Sequence, residues 1–278
     1  MATENSDAII LKSVDFSETS LILTLLTQKF GKINGIAKGG RRLKNPFESA
    51  LDLLACIRVS FLQKQGESLN LLTEAKLIRR FRPTAQNLPG LYAGYYVVEL
   101  LNKTLDDHEP VPEIFNLTEQ TISQLQTGER VPQTLLAFEW RLLEQLGLLP
   151  SLRDCAGCGE HLPLESVQSE NKKIAFSAQE GGILCRRCRE QVPAGYVYVT
   201  VPELRYIEYL LGITDGSSDT DSMFSEQTRN AVRGLLSNYI CHVLGRRPKM
   251  HAYLPFIMRE TENQKGQGCP DRSNISPT

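Results

Sequence analysis

The chain has 278 residues, long enough for two or three compact units, and 41% hydrophobic residues is enough for a sizeable core. A formal net charge of -1 excludes a global pull toward a polyanion or a membrane surface, so any such affinity must come from a local patch. The opening Met1–Asp7 is polar and acidic, without the apolar h-region of a signal peptide, and no run approaches the ~18 apolar residues that span a bilayer. A soluble cytoplasmic protein is the expectation.

The first eighty residues carry strand patterning. Asp7–Val14 is a short apolar run, and Ser20–Thr27 is rich in Leu, Ile and Thr. Residues 28–32 break the pattern as a hairpin connection does, and Ile33–Lys38 follows as another strand. Cys56–Leu62 alternates, with Ile57, Val59 and Phe61 on one face. Gly66 marks a turn before a fifth strand, Leu69–Ile78. Five short strands in this span suit a small closed barrel at residues 1–82. The OB-fold is the commonest of that size, although periodicity alone does not separate it from an SH3-like barrel.

From Leu88 the period changes to that of helices. Leu91, Tyr95, Val98, Leu101 and Leu105 recur at helical spacing, then Ile114, Leu117, Ile122 and Leu125, then Leu135 to Leu146. Pro132 and Gly147 punctuate the third helix. A cysteine-bearing insert occupies 151–192. Pro202-Glu203 opens a short helix through Leu211, and an acidic, serine-containing stretch at 212–226 reads as a loop. Val232, Leu235, Leu236, Tyr239, Ile240, Val243 and Leu244 share one stripe of a last long helix, which Pro248 stops. Residues 83–150 and 193–258 thus form a helical domain around the insert, and 259–278 form a polar, disordered tail.

The cysteines carry the sharpest local signal. Four of seven stand as Cys155-x-x-Cys158 and Cys185-x-x-Cys188. In a reducing compartment this favours a metal over disulfides. A C-x-x-C turn presents two thiolates to one ion, and two such turns complete the tetrahedral sphere of a structural zinc. Gly157 and Gly159 let the backbone curl under the first pair. Strands at Asn171–Phe176 and Gly182–Leu184 would complete a ribbon-like insert. With four thiolates there is no open position for catalysis, and His161 reads as a solvated loop histidine. Cys56 and Cys241 read as ordinary buried or half-buried cysteines, and Cys269 lies in the tail.

Between Lys29 and Lys44 stand six bases, Lys29, Lys32, Lys38, Arg41, Arg42 and Lys44, and no acid. On a glycine-containing loop beside a barrel such bases can track a phosphate backbone, with Phe30 and Phe47 at hand to stack bases. Arg186, Arg187 and Arg189 around the second cysteine pair form a second cluster. Arg246, Arg247 and Lys249 form a third and weaker one. Arg79, Arg80 and Arg82 either extend the first cluster or mark the domain junction. No P-loop, G-x-S-x-G or H-E-x-x-H motif occurs, and Asp106-Asp107 reads as polar punctuation at a helix end. No active site is expected.

The segment Asp15-Phe-Ser-Glu-Thr-Ser-Leu-Ile-Leu23, then Phe30-Gly-Lys32 and Ala37-Lys-Gly-Gly40, resembles the opening of the bacterial recombination mediator family RecO. Gly94-Tyr-Tyr96, Glu99-Leu-Leu101, Phe138-Glu139 and Leu146-Gly-Leu148 continue the resemblance in order, over residues 7 to 258. It implies an α+β multidomain chain: an N-terminal OB-fold, then a helical domain carrying the four-cysteine zinc insert. It also implies a non-enzymatic protein that binds single- and double-stranded DNA and anneals complementary strands. The implied partners are RecR, the acidic and apolar C-terminal tail of the single-strand-binding protein and, indirectly, RecA, in a nucleoid-associated setting without membrane contact. Lys38, Arg41, Arg42 and Lys44 fall in the family's basic barrel loop. The acidic stretch 212–226 departs from the family's pattern. The competing readings are an interaction adaptor that uses a helical groove without touching DNA, and a zinc hydrolase or nucleobase-modifying enzyme. The latter lacks the carboxylate base and the water-bearing metal it would need.

Overall fold

The computed structural model describes residues 3–42, 46–47, 50–63, 69–163, 173–212 and 223–259. Lys44, Gly66, Cys269, the tail beyond 259 and most of the acidic stretch lie outside them.

The N-terminal strands are β1 (Thr3–Asp15), β2 (Leu21–Thr27), β3 (Gly31–Ala37), β4 (Cys56–Leu62) and β5 (Asn70–Arg79). They close in the order β1-β2-β3-β5-β4, with β3 parallel to β5 and β4 antiparallel to β1. This is the Greek-key barrel of the OB-fold, and the topology removes the ambiguity left by periodicity. Alternation fills the interior with Ala8, Ile10, Leu23, Leu25, Ile33, Val59, Phe61 and Leu72. A register shift between Ile10 and Lys12 lets β1 bend. Closure begins at Thr3, earlier than the apolar pattern. Thr3–Ser6 pair with β4 through the backbone, and Asn5 adds a side-chain bond by accepting from the Ser60 hydroxyl at 2.6 Å, none of which needs apolar residues.

The opposite face of β1 and β2 offers Ile9, Leu11 and Leu26 to a second core, shared with the helices. These are α1 (Leu88–Thr104), α2 (Pro112–Thr127) and α3 (Val131–Gln145). The Asn87 side chain accepts from the Gly90 amide and Pro89 stands in the first turn, which fixes where α1 begins. Asn102 of α1 donates to the Leu11 carbonyl of β1 at 3.2 Å, tying the helix to the barrel.

After α3 come the ribbon elements β6 (Lys173–Ser177), β7 (Gly182–Leu184), α4 (Arg186–Gln191) and β8 (Tyr196–Thr200), in a sheet of order β7-β6-β8. The chain returns through α5 (Val201–Leu211), entered by a capping box between Thr200 and Glu203, and α6 (Glu226–Val243), capped by Ser225. A 3-10 turn at Lys249–Tyr253 leads into α7 (Leu254–Ile257). Helices from both sides of the insert share one core, including Trp140, Leu204, Ile207, Val232 and Leu236. The fold is thus α+β, with an OB-fold barrel, a helical domain and a four-cysteine insert. Among the described residues no helix is long and apolar enough to cross a membrane.

Two junction contacts set the barrel against the helices. Lys32 donates to the Leu105 carbonyl and pairs with Asp107 at 3.2 Å, while Asn34 donates to the other Asp107 oxygen at 3.0 Å. Gly31, at φ +66°, packs so closely that a Cβ there would stand 1.9 Å from the Glu109 carbonyl oxygen. Arg79 pairs with Glu119 of α2 at 3.4 Å and so serves the junction, whereas Arg80 pairs with Asp52 within the barrel at 3.1 Å.

Candidate metal centre and nucleic-acid interface

The two cysteine pairs meet at one point. The sulfur atoms of Cys155, Cys158, Cys185 and Cys188 all lie within 4.8 Å of one another. Cys158 Sγ and Cys185 Sγ are 3.8 Å apart, about the edge of a tetrahedron whose corners stand ~2.3 Å from a central zinc ion. It is also far beyond a disulfide bond. The scaffold supports this convergence. Cys185 caps α4, its Sγ accepting from the Cys188 amide at 3.5 Å, and its own amide donates to Cys155 Sγ at 3.2 Å. Gly157 makes room, because a Cβ there would come 3.1 Å from Cys188 Sγ.

The thiols are unequal. Burial disfavours the Cys155 thiolate, but amides of Cys185, Cys158 and Gly157 donate to it and carry its pKa down to about 6. Cys188 is pushed up to about 12, first by its hydrogen bond with Cys158 and then by burial. The donor set fits one ion held by four sulfurs. His161 turns instead to Asp154, with Nδ1 2.8 Å from the carboxylate. Cys56 is buried and Cys241 half-buried.

The arginines around the second pair are each engaged. Arg186 pairs with Glu190 at 3.2 Å, and Arg187 donates to Cys158. Arg189 donates to the Tyr198 hydroxyl at 3.2 Å and lies 5.4 Å over the Tyr196 ring.

The six bases between Lys29 and Lys44 do not form one patch. Lys29 is exposed at the β2–β3 turn, whereas Lys38, Arg41 and Arg42 are exposed beyond the far end of β3. At ~3.3 Å per residue the hairpin separates the two groups by roughly 20 Å. Lys32 is only 12% exposed and occupied at the junction. Arg41 pairs with Asp15 at 3.1 Å, but both side chains are open, 46% and 67% exposed. An exposed pair is worth about 0–1 kcal/mol, so a phosphate can replace Asp15 at little cost. Exposed Lys12 lies on the outer face of β1 beside these strands and was not singled out by its sequence context.

The aromatics expected to stack bases are elsewhere. Phe47 is buried in the barrel, and Phe30 packs edge-on against Phe61 with centroids 5.3 Å apart. Phe47 is a member of the barrel core, and half-buried Phe30 packs against it.

A cleft of ≈ 700 Å³ opens in the helical domain, with Arg229, Arg247 and Arg259 around Leu136, Leu254 and Met258. Arg247 belongs to the third basic cluster of the sequence, while the other residues come from separate segments (α3, α6 and the C-terminal segment) whose convergence the sequence does not signal.

Family comparison agrees with this architecture along nearly the whole chain. The model described as "Recombination protein O N terminal" matches residues 1–81, and "Recombination protein O C terminal" matches residues 85–251. The chain belongs to the RecO family. A DNA repair protein RecO from Rhodopirellula baltica is 36% identical over 269 residues, covering 89% of this chain and 97% of that protein. Another from Myxococcus xanthus is 31% identical over 249 residues, covering 90% and 96%. The RecO N-terminal match ends two residues beyond β5 and so coincides with the barrel. The C-terminal match spans both halves of the helical domain and the cysteine insert between them.

Proposed function

We propose that this chain is a non-catalytic recombination mediator of the cytoplasm that binds single- and double-stranded DNA at its barrel rim and anneals complementary strands. RecO family membership supports a role in DNA repair and recombination. The observation that carries the DNA reading is the exposed turn with Lys38, Arg41 and Arg42, just past β3 at the rim of an OB-fold barrel. Lys44 continues this turn in sequence, while Lys32 belongs to the junction and Lys29 to the far end. Cations held on two strands at once screen their mutual repulsion, so annealing accelerates without bond chemistry. Arg186, Arg187 and Arg189 offer a second phosphate-contacting surface, oriented by the cysteine centre.

One structural zinc ion on Cys155, Cys158, Cys185 and Cys188 braces the ribbon, and a site closed by four sulfurs leaves no position for a reacting water. The arginine-lined cleft suits a tail that is both acidic and apolar, as the C-terminal tail of the single-strand-binding protein is. With RecR as partner, the protein would help load RecA at gaps in a nucleoid setting.

The test is a titration of labelled single-stranded DNA at two salt concentrations. Arg41→Glu/Arg42→Glu should weaken binding and flatten the slope of log K against log salt by about 1.4, the share of two single-strand phosphate contacts. Unchanged affinity and slope would refute the barrel-rim site. A wild-type protein that binds a tail peptide but no DNA would leave the adaptor reading in its place.

A further inference from the structure

Beside the basic turn stands an aromatic side chain that the fold does not use. Phe16 is 61% exposed, and its ring makes no aromatic contact among the described residues. It follows β1 and opens a tight turn, closed by its amide on the Ser20 carbonyl at 3.0 Å. This turn is fastened to the basic one. The Arg41 amide donates to the Thr19 carbonyl at 3.1 Å, and the Arg41 guanidinium pairs with Asp15, next to Phe16 in the chain.

Single exposed apolar residues are common and need no explanation. Three further features give this one meaning. Exposed Lys38, Arg41 and Arg42 share its rim. The turn carries the acids Asp15 and Glu18, so a polyanion is directed away from them toward the Lys38–Arg42 side. Behind Phe16 a row of cross-strand partners, Val14, Ile22, Ile36 and Leu71, crosses the outer face of four strands without being fully buried. Apolar surface flanked by cations suits a strand whose bases are turned out and whose phosphates lie to one side.

We propose that Phe16 is the base-stacking residue of this rim, so that the barrel holds unpaired strands more tightly than duplex. The inference rests on the DNA-contact reading above and adds selectivity to it. The cations meet phosphates of either ligand, whereas a phenyl ring meets the face of a base only where that base is unstacked. In a duplex those faces are covered by their neighbours.

The experiment uses the full chain with Phe16→Ala and Phe16→Trp, a labelled oligothymidylate and a labelled duplex of the same length. Phe16→Ala should weaken oligothymidylate binding about tenfold while leaving duplex affinity and the salt slope unchanged. Phe16→Trp should restore binding, and its emission should be quenched by oligothymidylate. The chain's one tryptophan, Trp140, is fully buried, so quenching reports the new side chain. Phe16 contributes to no core, so circular dichroism should show both variants folded.

Unchanged oligothymidylate binding by Phe16→Ala, equal losses on both ligands, or an unquenched tryptophan in a bound complex would each overturn the stacking role. If Arg41→Glu/Arg42→Glu abolishes binding while Phe16→Ala does not weaken it, the DNA reading stands and this inference falls. If the wild-type protein binds neither ligand, both fall.

Discussion

Arg233→Met removes the guanidinium that joins the two halves of the helical domain. Arg233 of α6 forks onto both carboxylate oxygens of Glu139 in α3, with Nη2 3.0 Å from Oε1, and Tyr96 of α1 donates its hydroxyl to the same Oε1 at 2.9 Å. The Glu139 side chain is 0% exposed and that of Arg233 10%. Burial opposes the charge on Arg233, but Glu139 more than offsets it and holds the guanidinium charged. The same site pushes the Tyr96 hydroxyl well above its usual range, first by burial and then by the Glu139 charge. Methionine fills most of the arginine's volume, so the cavity contribution is small. The dominant cost is a buried carboxylate left without its countercharge, about 3–5 kcal/mol. Against a total stability of about 5–15 kcal/mol this is a large fraction. Guanidinium unfolding followed by Trp140 emission isolates the helical domain, since Trp140 sits next to Glu139 on α3 and is fully buried. The triple variant Tyr96→Phe/Glu139→Leu/Arg233→Met removes both charges and the hydroxyl together, and should recover most of the loss. A single variant within 1 kcal/mol of wild type, or a triple variant no more stable than the single, would refute the reasoning.

Cys185→Ser should abolish stoichiometric zinc, measured by atomic absorption, and should raise amide exchange in β6 and β7 before it affects the barrel. Zinc affinity should weaken as pH falls, because the metal needs thiolates and Cys188, pushed up to about 12, must surrender its proton to bind. Calorimetry in buffers of different ionisation enthalpy should accordingly show proton release, and its absence would mean that the four sulfurs do not bind as a set. Lys32→Met should cost about 1–3 kcal/mol by leaving the Leu105 carbonyl without its donor, Asp107 being half exposed and still held by Asn34, yet leave the DNA salt slope unchanged, in contrast to Arg41 and Arg42. Gly31→Val should loosen the barrel from the helices, because φ +66° and the Glu109 carbonyl leave a side chain no room. Faster proteolysis between residues 80 and 88 would register that loosening.

The strands and helices were legible wherever one face is buried. Alternation in Cys56–Leu62 and the heptad-like stripe of α6 both follow from a one-sided core. Legibility failed where backbone pairing decides the structure. Thr3–Ser6 have no apolar pattern and still close the barrel, because β4 holds them by backbone pairing and by the Ser60–Asn5 side-chain bond. The ribbon's third strand, Tyr196–Thr200, lies beyond Val192, where the cysteine spacing stops being a guide. Its alternating tyrosines and valines were the available signal. The resemblance to the family named Tyr96 and Glu139 in separate segments, but only folding shows them meeting on one arginine.

Charge was the least legible property, because a run of bases says nothing about which acids the fold brings to it. Asp107 read as punctuation after α1, yet it takes Lys32 out of the basic run and turns it into a junction contact. Asp15 meets Arg41 in a pair that water reaches from both sides, which leaves that arginine exchangeable. The same distinction holds for the aromatics. Phe30 and Phe47 lie closer in sequence to the bases than Phe16 does, but the barrel interior claims both rings. Phe16 stands among Asp15, Ser17 and Glu18, and its apolar partner at strand spacing, Val14, is itself exposed at the end of β1. The strand leaves the barrel core before it reaches Val14 and Phe16, so the ring has no interior to enter and stays at the surface beside the bases.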